Sequence, residues 1–148
     1  MKKLLFIPLL FVFTNVYCPP DTKIYILRHE GYKPFENVSF EQIWSAICFI
    51  ESSGNAKAYN EAEDAVGISQ IRKAKLQDYN KATNNNIQHE DCFDVEISKL
   101  IFKWHFEQQG CFMAAISKWN GSGQQAHRYM NRVLKIIEHQ NNNQYETF

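Results

Sequence analysis

The chain has 148 residues, a single-domain length, enough for one core that buries roughly two-thirds of the surface exposed by the unfolded chain. Sixteen Lys and Arg balance sixteen Asp and Glu, which excludes a global field of the kind that draws nucleic acid or an anionic membrane. With 45% hydrophobic and 14% aromatic residues, the composition also excludes a disordered chain.

Lys2 and Lys3 precede an apolar run from Leu4 to Val16, interrupted only by Pro8, Thr14 and Asn15. A basic start followed by a short apolar stretch is the pattern of a secretory leader, here residues 1–18. The run is short for a membrane-spanning helix, which needs about 20 apolar residues. Val16 and Cys18 can fill the small-residue positions of a cleavage site, but Tyr17 is bulky and Pro19 follows directly. Cys18 is alternatively a lipid-attachment point, with Tyr17 again standing where a small residue is expected. The segment therefore predicts export to the periplasm or cell envelope, free or lipid-anchored, against an uncleaved anchor or a buried terminal helix.

Residues 19–37 read as a connecting segment, with Lys23 to Leu27 suited to a short extended piece and Gly31, Pro34 and Asn37 to turns. Residues 38–139 read as helices. Ser39 with Gln42 forms a capping-box signature, followed by Phe40, Ile43, Trp44, Ile47 and Ile50 at helical spacing. A loop rich in Asn, Gly and acidic residues runs from Ser52 to Val66, and the pattern from Gly67 to Tyr79 predicts a helix. Asn84 to Asn86 marks an interior loop. Asp94 caps a helix carrying Val95, Ile97, Leu100, Ile101, Trp104 and His105, which Gly110 ends. Phe112 to Trp119 predicts another helix, ending at Asn120-Gly121, and Ser122 to His139 a final amphipathic one. Residues 140–148 read as a polar tail. The expected fold is mainly α, with at most a small extended element at its start or in the loop.

Of the four cysteines, Cys48 falls in an apolar helix pattern and suits the core. Cys92 and Cys111 can pair, closing a loop worth about 3 kcal/mol in the chain-entropy view, or can remain reduced apolar residues. No CxxC occurs and the histidines lack ligand spacing, so no structural zinc is expected.

The first helix carries one chemically pointed feature. Phe40, Ile43, Trp44, Ile47 and Glu51 share a face, so a carboxyl group continues an apolar stripe at the helix C-terminus. Burial and the negative helix end both favour its neutral form there. A carboxylic acid held protonated near neutral pH is what protonating a leaving oxygen requires. The pattern alone also permits a Glu pointing into water.

Glu51-Ser52-Ser53-Gly54-Asn55 is followed by Ala58-Tyr59-Asn60, by Gly67-Ile68-Ser69-Gln70-Ile71, by Trp119-Asn120-Gly121, and by Tyr129-Met130-Asn131-Arg132-Val133. This succession, from about Val38 to Ile137, resembles the catalytic domain of soluble lytic transglycosylases, on the goose-type side of the lysozyme superfamily. The resemblance implies a lysozyme-like single domain that acts on peptidoglycan glycan strands without metal or cofactor. It implies Glu51 as the catalytic acid, with Ser52, Gln70, Trp119, Asn120 and Tyr129 at the substrate site. Three positions depart from the family pattern: Ser69 stands for Met, Ile68 for Leu and Trp119 for Tyr. A Trp face there can stack on a pyranose.

The implied reaction cleaves the bond between N-acetylmuramic acid and N-acetylglucosamine and leaves a 1,6-anhydromuramyl end. A hydrolytic muramidase is the nearest alternative. It usually requires a second carboxylate, about 5 Å away for retention or roughly 6.5–9.5 Å for inversion, with Glu61, Glu63 and Asp64 as candidates or as a solvated loop. An inactive peptidoglycan-binding or structural protein is the other. Delivery by a secretion apparatus or phage virion fits as well as a free periplasmic enzyme, and oligomeric state is not legible.

Overall fold

The computed structural model describes residues 24–26, 33–35, 38–110 and 112–145. The expected leader, Cys111 and the turns at Gly31 and Asn37 lie outside the described residues. The chain opens with an antiparallel pair, β1 (Ile24–Ile26) and β2 (Lys33–Phe35), in which Tyr25 faces Pro34. Pro34, expected in a turn, therefore lies mid-strand, where a proline is tolerated because a two-stranded pair has only edges.

Helix α1 (Phe40–Ser52) begins as the capping box predicts: the Gln42 backbone N–H donates to Ser39 Oγ, and the Ser39 N–H donates to Gln42 Oε1. Its buried face is Ile43, Trp44, Ala46, Ile47 and Cys48. It stops at Ser53, whose left-handed backbone (φ 54°) turns its N–H back onto the Cys48 and Phe49 carbonyls.

The acidic loop after α1 is partly a small antiparallel sheet: β3 (Tyr59–Asn60), β4 (Ala65–Val66) and β5 (Ile71–Arg72), paired in that order. The helix expected from Gly67 begins only with α2 (Lys73–Thr83). Two positive φ angles break the early part, +79° at Gly67 and +53° at Gln70. Gly67 also lies so close to the Cys92 carbonyl that an added Cβ would sit 2.0 Å from its oxygen.

A 3-10 turn at Glu90–Phe93 leads into α3 (Val95–Gln108), capped by Asp94 Oδ1, which accepts from the Glu96 and Ile97 N–H groups. Then follow α4 (Phe112–Trp119) and α5 (Gly123–Tyr145). Helix α5 continues through residues read from the sequence as tail, because its amides cross-link to α1: Gln140 Nε2 donates to Ser45 Oγ, and Gln42 Nε2 donates to Asn141 Oδ1.

The core lies where α1, α3, α4 and α5 converge on Ile43, Ile47, Ile101, Phe102, Ile116, Val133 and Ile137, all buried. Burying each such side chain is worth about 1.5–3 kcal/mol. Phe102 is the hub, with the rings of Phe40, Trp44 and Trp119 centred 5.8, 5.4 and 4.8 Å away. Cys48 and Cys92 are free, buried thiols that burial pushes up to about 12. The architecture is mainly α with a small sheet, in agreement with a lysozyme-like single domain.

Candidate active site

Glu51 occupies the last turn of α1, half-buried at the end of the apolar stripe. Its partner comes from α5: Tyr129 Oη donates to Glu51 Oε1 at 2.6 Å. Glu51 Oε2 has no hydrogen-bond partner among the described residues. Burial is the largest influence on this carboxyl and raises its pKa above the usual carboxylate range. The Tyr129 hydrogen bond and the Arg72 and Arg132 cations act the other way, and Glu63 adds a further upward push. Burial and the neighbouring carboxylate likewise raise the Tyr129 phenol, so it remains a donor.

Beside this pair, residues Gly67 to Gln70 form a turn whose three successive carbonyls are each held by a side chain. Gln70 Nε2 donates to Gly67 O at 3.0 Å and to Ala58 O at 3.3 Å. Ser52 Oγ donates to Ile68 O at 2.8 Å and to Cys48 O at 3.2 Å. Trp119 Nε1 donates to Ser69 O at 3.3 Å. The turn closes with the Gln70 N–H on Gly67 O, and the Gly67 N–H donates to Ala58 O at 2.9 Å. The Ser52 and Trp119 bonds give partners to Ile68 O and Ser69 O, carbonyls that a loop beside the core would otherwise leave without one.

Three of the sequence-predicted residues thus converge on one turn, and two more form the acid and its tyrosine. Trp119 is placed otherwise than a sugar platform would be. It is only 3% exposed, packed edge-to-face against Phe102 and His105, with Lys75 Nζ 4.5 Å from its ring. Its indole supports the turn from inside. Asn120 is half-buried at the end of α4, and its side chain makes no hydrogen bond among the described residues. The Ser69 hydroxyl is fully buried with no partner among the described residues, at a position where the resemblance expects an apolar side chain.

The acidic loop forms its own ion pairs. Glu63 is bound by Arg72, and Asp64 by Lys73 and the Tyr59 hydroxyl. Sequence reading missed Arg72 and Arg132, the two cations that act on Glu51. Their positions depend on long-range packing, and a surface pattern of Lys and Arg carries no mark of it.

The sequence model of the transglycosylase SLT domain matches residues 36–133, which include Glu51, the turn and Tyr129. Comparison with curated proteins and with solved structures gives no match. The match spans about two-thirds of the chain and brackets the whole Glu51 site. This protein accordingly belongs to the transglycosylase SLT domain family, whose members act on peptidoglycan.

Proposed function

We propose that this protein is an exported lytic transglycosylase that cleaves the β-1,4 bond between N-acetylmuramic acid and N-acetylglucosamine, with Glu51 as its single acid/base. The observation that carries this reading is the half-buried Glu51 carboxyl, raised in pKa and fixed through one oxygen by Tyr129. In the first step the Glu51 acid gives its proton to the glycosidic oxygen as the bond to muramyl C1 breaks, and N-acetylglucosamine leaves with a free hydroxyl. In the second, the carboxylate takes the proton of the muramyl C6 hydroxyl as that oxygen bonds to C1. The anhydro ring closes, Glu51 is an acid again and no water is consumed.

The environment suits both halves of the cycle. Burial favours the neutral acid that starts it, while Tyr129, Arg72 and Arg132 stabilise the carboxylate that appears midway. Ser52 and Trp119 fix the turn that carries Gln70, and in this reading Gln70 and Asn120 meet the glycan. Substrate in this reading is peptidoglycan in the periplasm or cell envelope, reached by a free enzyme or one delivered by a secretion apparatus or phage virion.

Hydrolysis would require a second carboxylate free to activate water. Two of the three candidate loop carboxylates, Glu63 and Asp64, are engaged by Arg72 and Lys73, which favours the substrate-assisted route over it. Mass analysis of muropeptides released by the purified protein separates the two, since the anhydro product is lighter by one water. Reducing-end products alone would overturn the transglycosylase reading. Binding to sacculi with no release, or unchanged release by Glu51→Gln, would overturn the assignment of Glu51.

A further inference from the structure

Away from the Glu51–Tyr129 pair, a cavity of about 410 Å³ opens between the first half of α2, the end of α3 and the junction of α4 and α5. Its wall mixes polar and apolar surface about equally. Asp78, Gln108 and Gln109 line it with side chains that make no hydrogen bond or ion pair among the described residues. Trp104 adds an aromatic surface, itself braced edge-to-face by Tyr79 at 5.5 Å.

Lys75 stands out among the lining residues. It is half-buried in the first turn of α2, where the helix end adds positive potential. Its ammonium rests 4.5 Å from the centre of the Trp119 ring and 3.4 Å from the Lys118 carbonyl. Both contacts are with uncharged groups, and no carboxylate lies within ion-pair distance among the described residues. The other lysines with ion pairs here, Lys73 and Lys99, each have a carboxylate at 2.6 or 2.7 Å. Burial has pushed the Lys75 amine down to about 8, a desolvation penalty that an incoming anion would relieve. Trp119, which holds the ammonium on its ring face, also holds Ser69 O through its indole N–H. Lys75 is therefore one side chain away from the Gly67–Gln70 turn, and Arg72, Asp78 and Glu51 are the charges that act on it.

We infer that this cavity is a carboxylate-binding subsite in which Lys75 receives an anionic group carried by the muramyl unit, with the Gln108 and Gln109 amides available to amide groups of the same substituent. The inference rests on peptidoglycan being the substrate. Two sources offer that chemistry: the carboxylates of the stem peptide, and the lactyl carboxylate of a muramyl residue whose stem has been removed. An ammonium held in place before binding loses little side-chain freedom on meeting such a group.

Kinetics on soluble glycan strands, with and without stems, would be measured for the full chain, Lys75→Met and Lys75→Arg. Lys75→Met keeps the aliphatic packing on Trp119 and should raise KM about tenfold on carboxylate-bearing strands, with Lys75→Arg recovering most of the loss. A KM effect restricted to stem-bearing strands assigns the stem carboxylates, one restricted to stem-free strands assigns the lactyl carboxylate, and an effect on both shows that Lys75 receives either. Binding of N-acetylglucosamine oligomers, which carry no carboxylate, should be unaffected. An unchanged KM in Lys75→Met, or an equal loss on the uncharged oligomers, would overturn the subsite. Calorimetric titration of N-acetylmuramyl-L-alanyl-D-isoglutamine keeps the two readings apart. Binding that Lys75→Met removes supports the subsite even if no strand is cleaved, and absence of binding to the native chain refutes it even if strands are cleaved.

Discussion

The Tyr129 phenol and the Glu51 carboxyl, 78 residues apart in the chain, meet at 2.6 Å across the packed faces of α5 and α1. That bond favours the ionised form of a group that burial otherwise keeps neutral. Removing the Tyr129 hydroxyl should therefore raise the Glu51 pKa further. In Tyr129→Phe the alkaline limb of the rate profile, where the required acid is lost, should move to higher pH, with kcat/KM down about tenfold. A downward move of that limb would contradict the role of the bond.

Glu51→Gln should lower glycan cleavage about 10²–10⁴-fold, as expected when a general acid is removed. It should also stabilise the fold at neutral pH. A carboxyl whose folded pKa is raised makes the native state hold its proton longer than the unfolded chain does, so the wild type loses stability as pH rises above the ordinary carboxylate range. The variant lacks that penalty. Its melting temperature should exceed that of wild type at pH 7, with the gap closing near pH 4. Parallel thermal melts at the two pH values check the sign.

Gly67→Ala should be severely destabilising. The new Cβ would meet backbone rather than a yielding side chain, at 2.0 Å from the Cys92 oxygen and with φ at +79°. A loss of about 3 kcal/mol or more is expected, together with loss of activity, because the turn beside Glu51 must shift. Urea denaturation would read the loss directly.

Trp119→Phe keeps an aromatic ring in the core but removes the donor to Ser69 O. Stability should fall by about 1–3 kcal/mol, for the stranded carbonyl and the space left by the smaller ring. An unchanged melting temperature with loss of glycan binding would instead mean that the indole faces substrate.

His105 is buried, its Nε2 lies 3.2 Å from Ala115 O, and burial pushes its pKa down to about 4. Below the ordinary histidine range the unfolded chain takes up a proton that the native state resists, so stability should fall as pH drops from about 6.5 to 4. The contribution is on the order of 3 kcal/mol. His105→Gln should flatten this part of the stability curve, and equal slopes for the two proteins would show that the imidazole is not responsible.

Local rules made much of the helical frame legible. The Ser39–Gln42 box and the Asp94 cap placed the starts of α1 and α3, and the apolar phase of α1 put Glu51 at the edge of the core. The turn at Gly67 was not legible, since the apolar pattern through Tyr79 suits a helix. The deciding contact is with Cys92, which the sequence separates widely from Gly67. The sequence pattern places Trp119 where its face can stack on a pyranose, because an aromatic residue near a motif looks the same whether it faces sugar or Phe102. The Glu51–Tyr129 contact depended on how α1 and α5 pack. Only the ordered motifs linked those residues beforehand, since tyrosine in an amphipathic helix is ordinary core material.

The Gly67, Ile68 and Ser69 carbonyls are fastened respectively by a side chain within the turn, by the end of α1 and by the end of α4. Such a turn has no cheap way to open alone, because releasing it breaks bonds to two helices at once. Its Gly67 and Gln70 amides, which donate to Ala58 O and Gly67 O, should exchange with solvent only when the surrounding helices separate, at close to the free energy of global unfolding. A protease should likewise find no early cut there, so the backbone beside the acid would persist for as long as the domain stays folded.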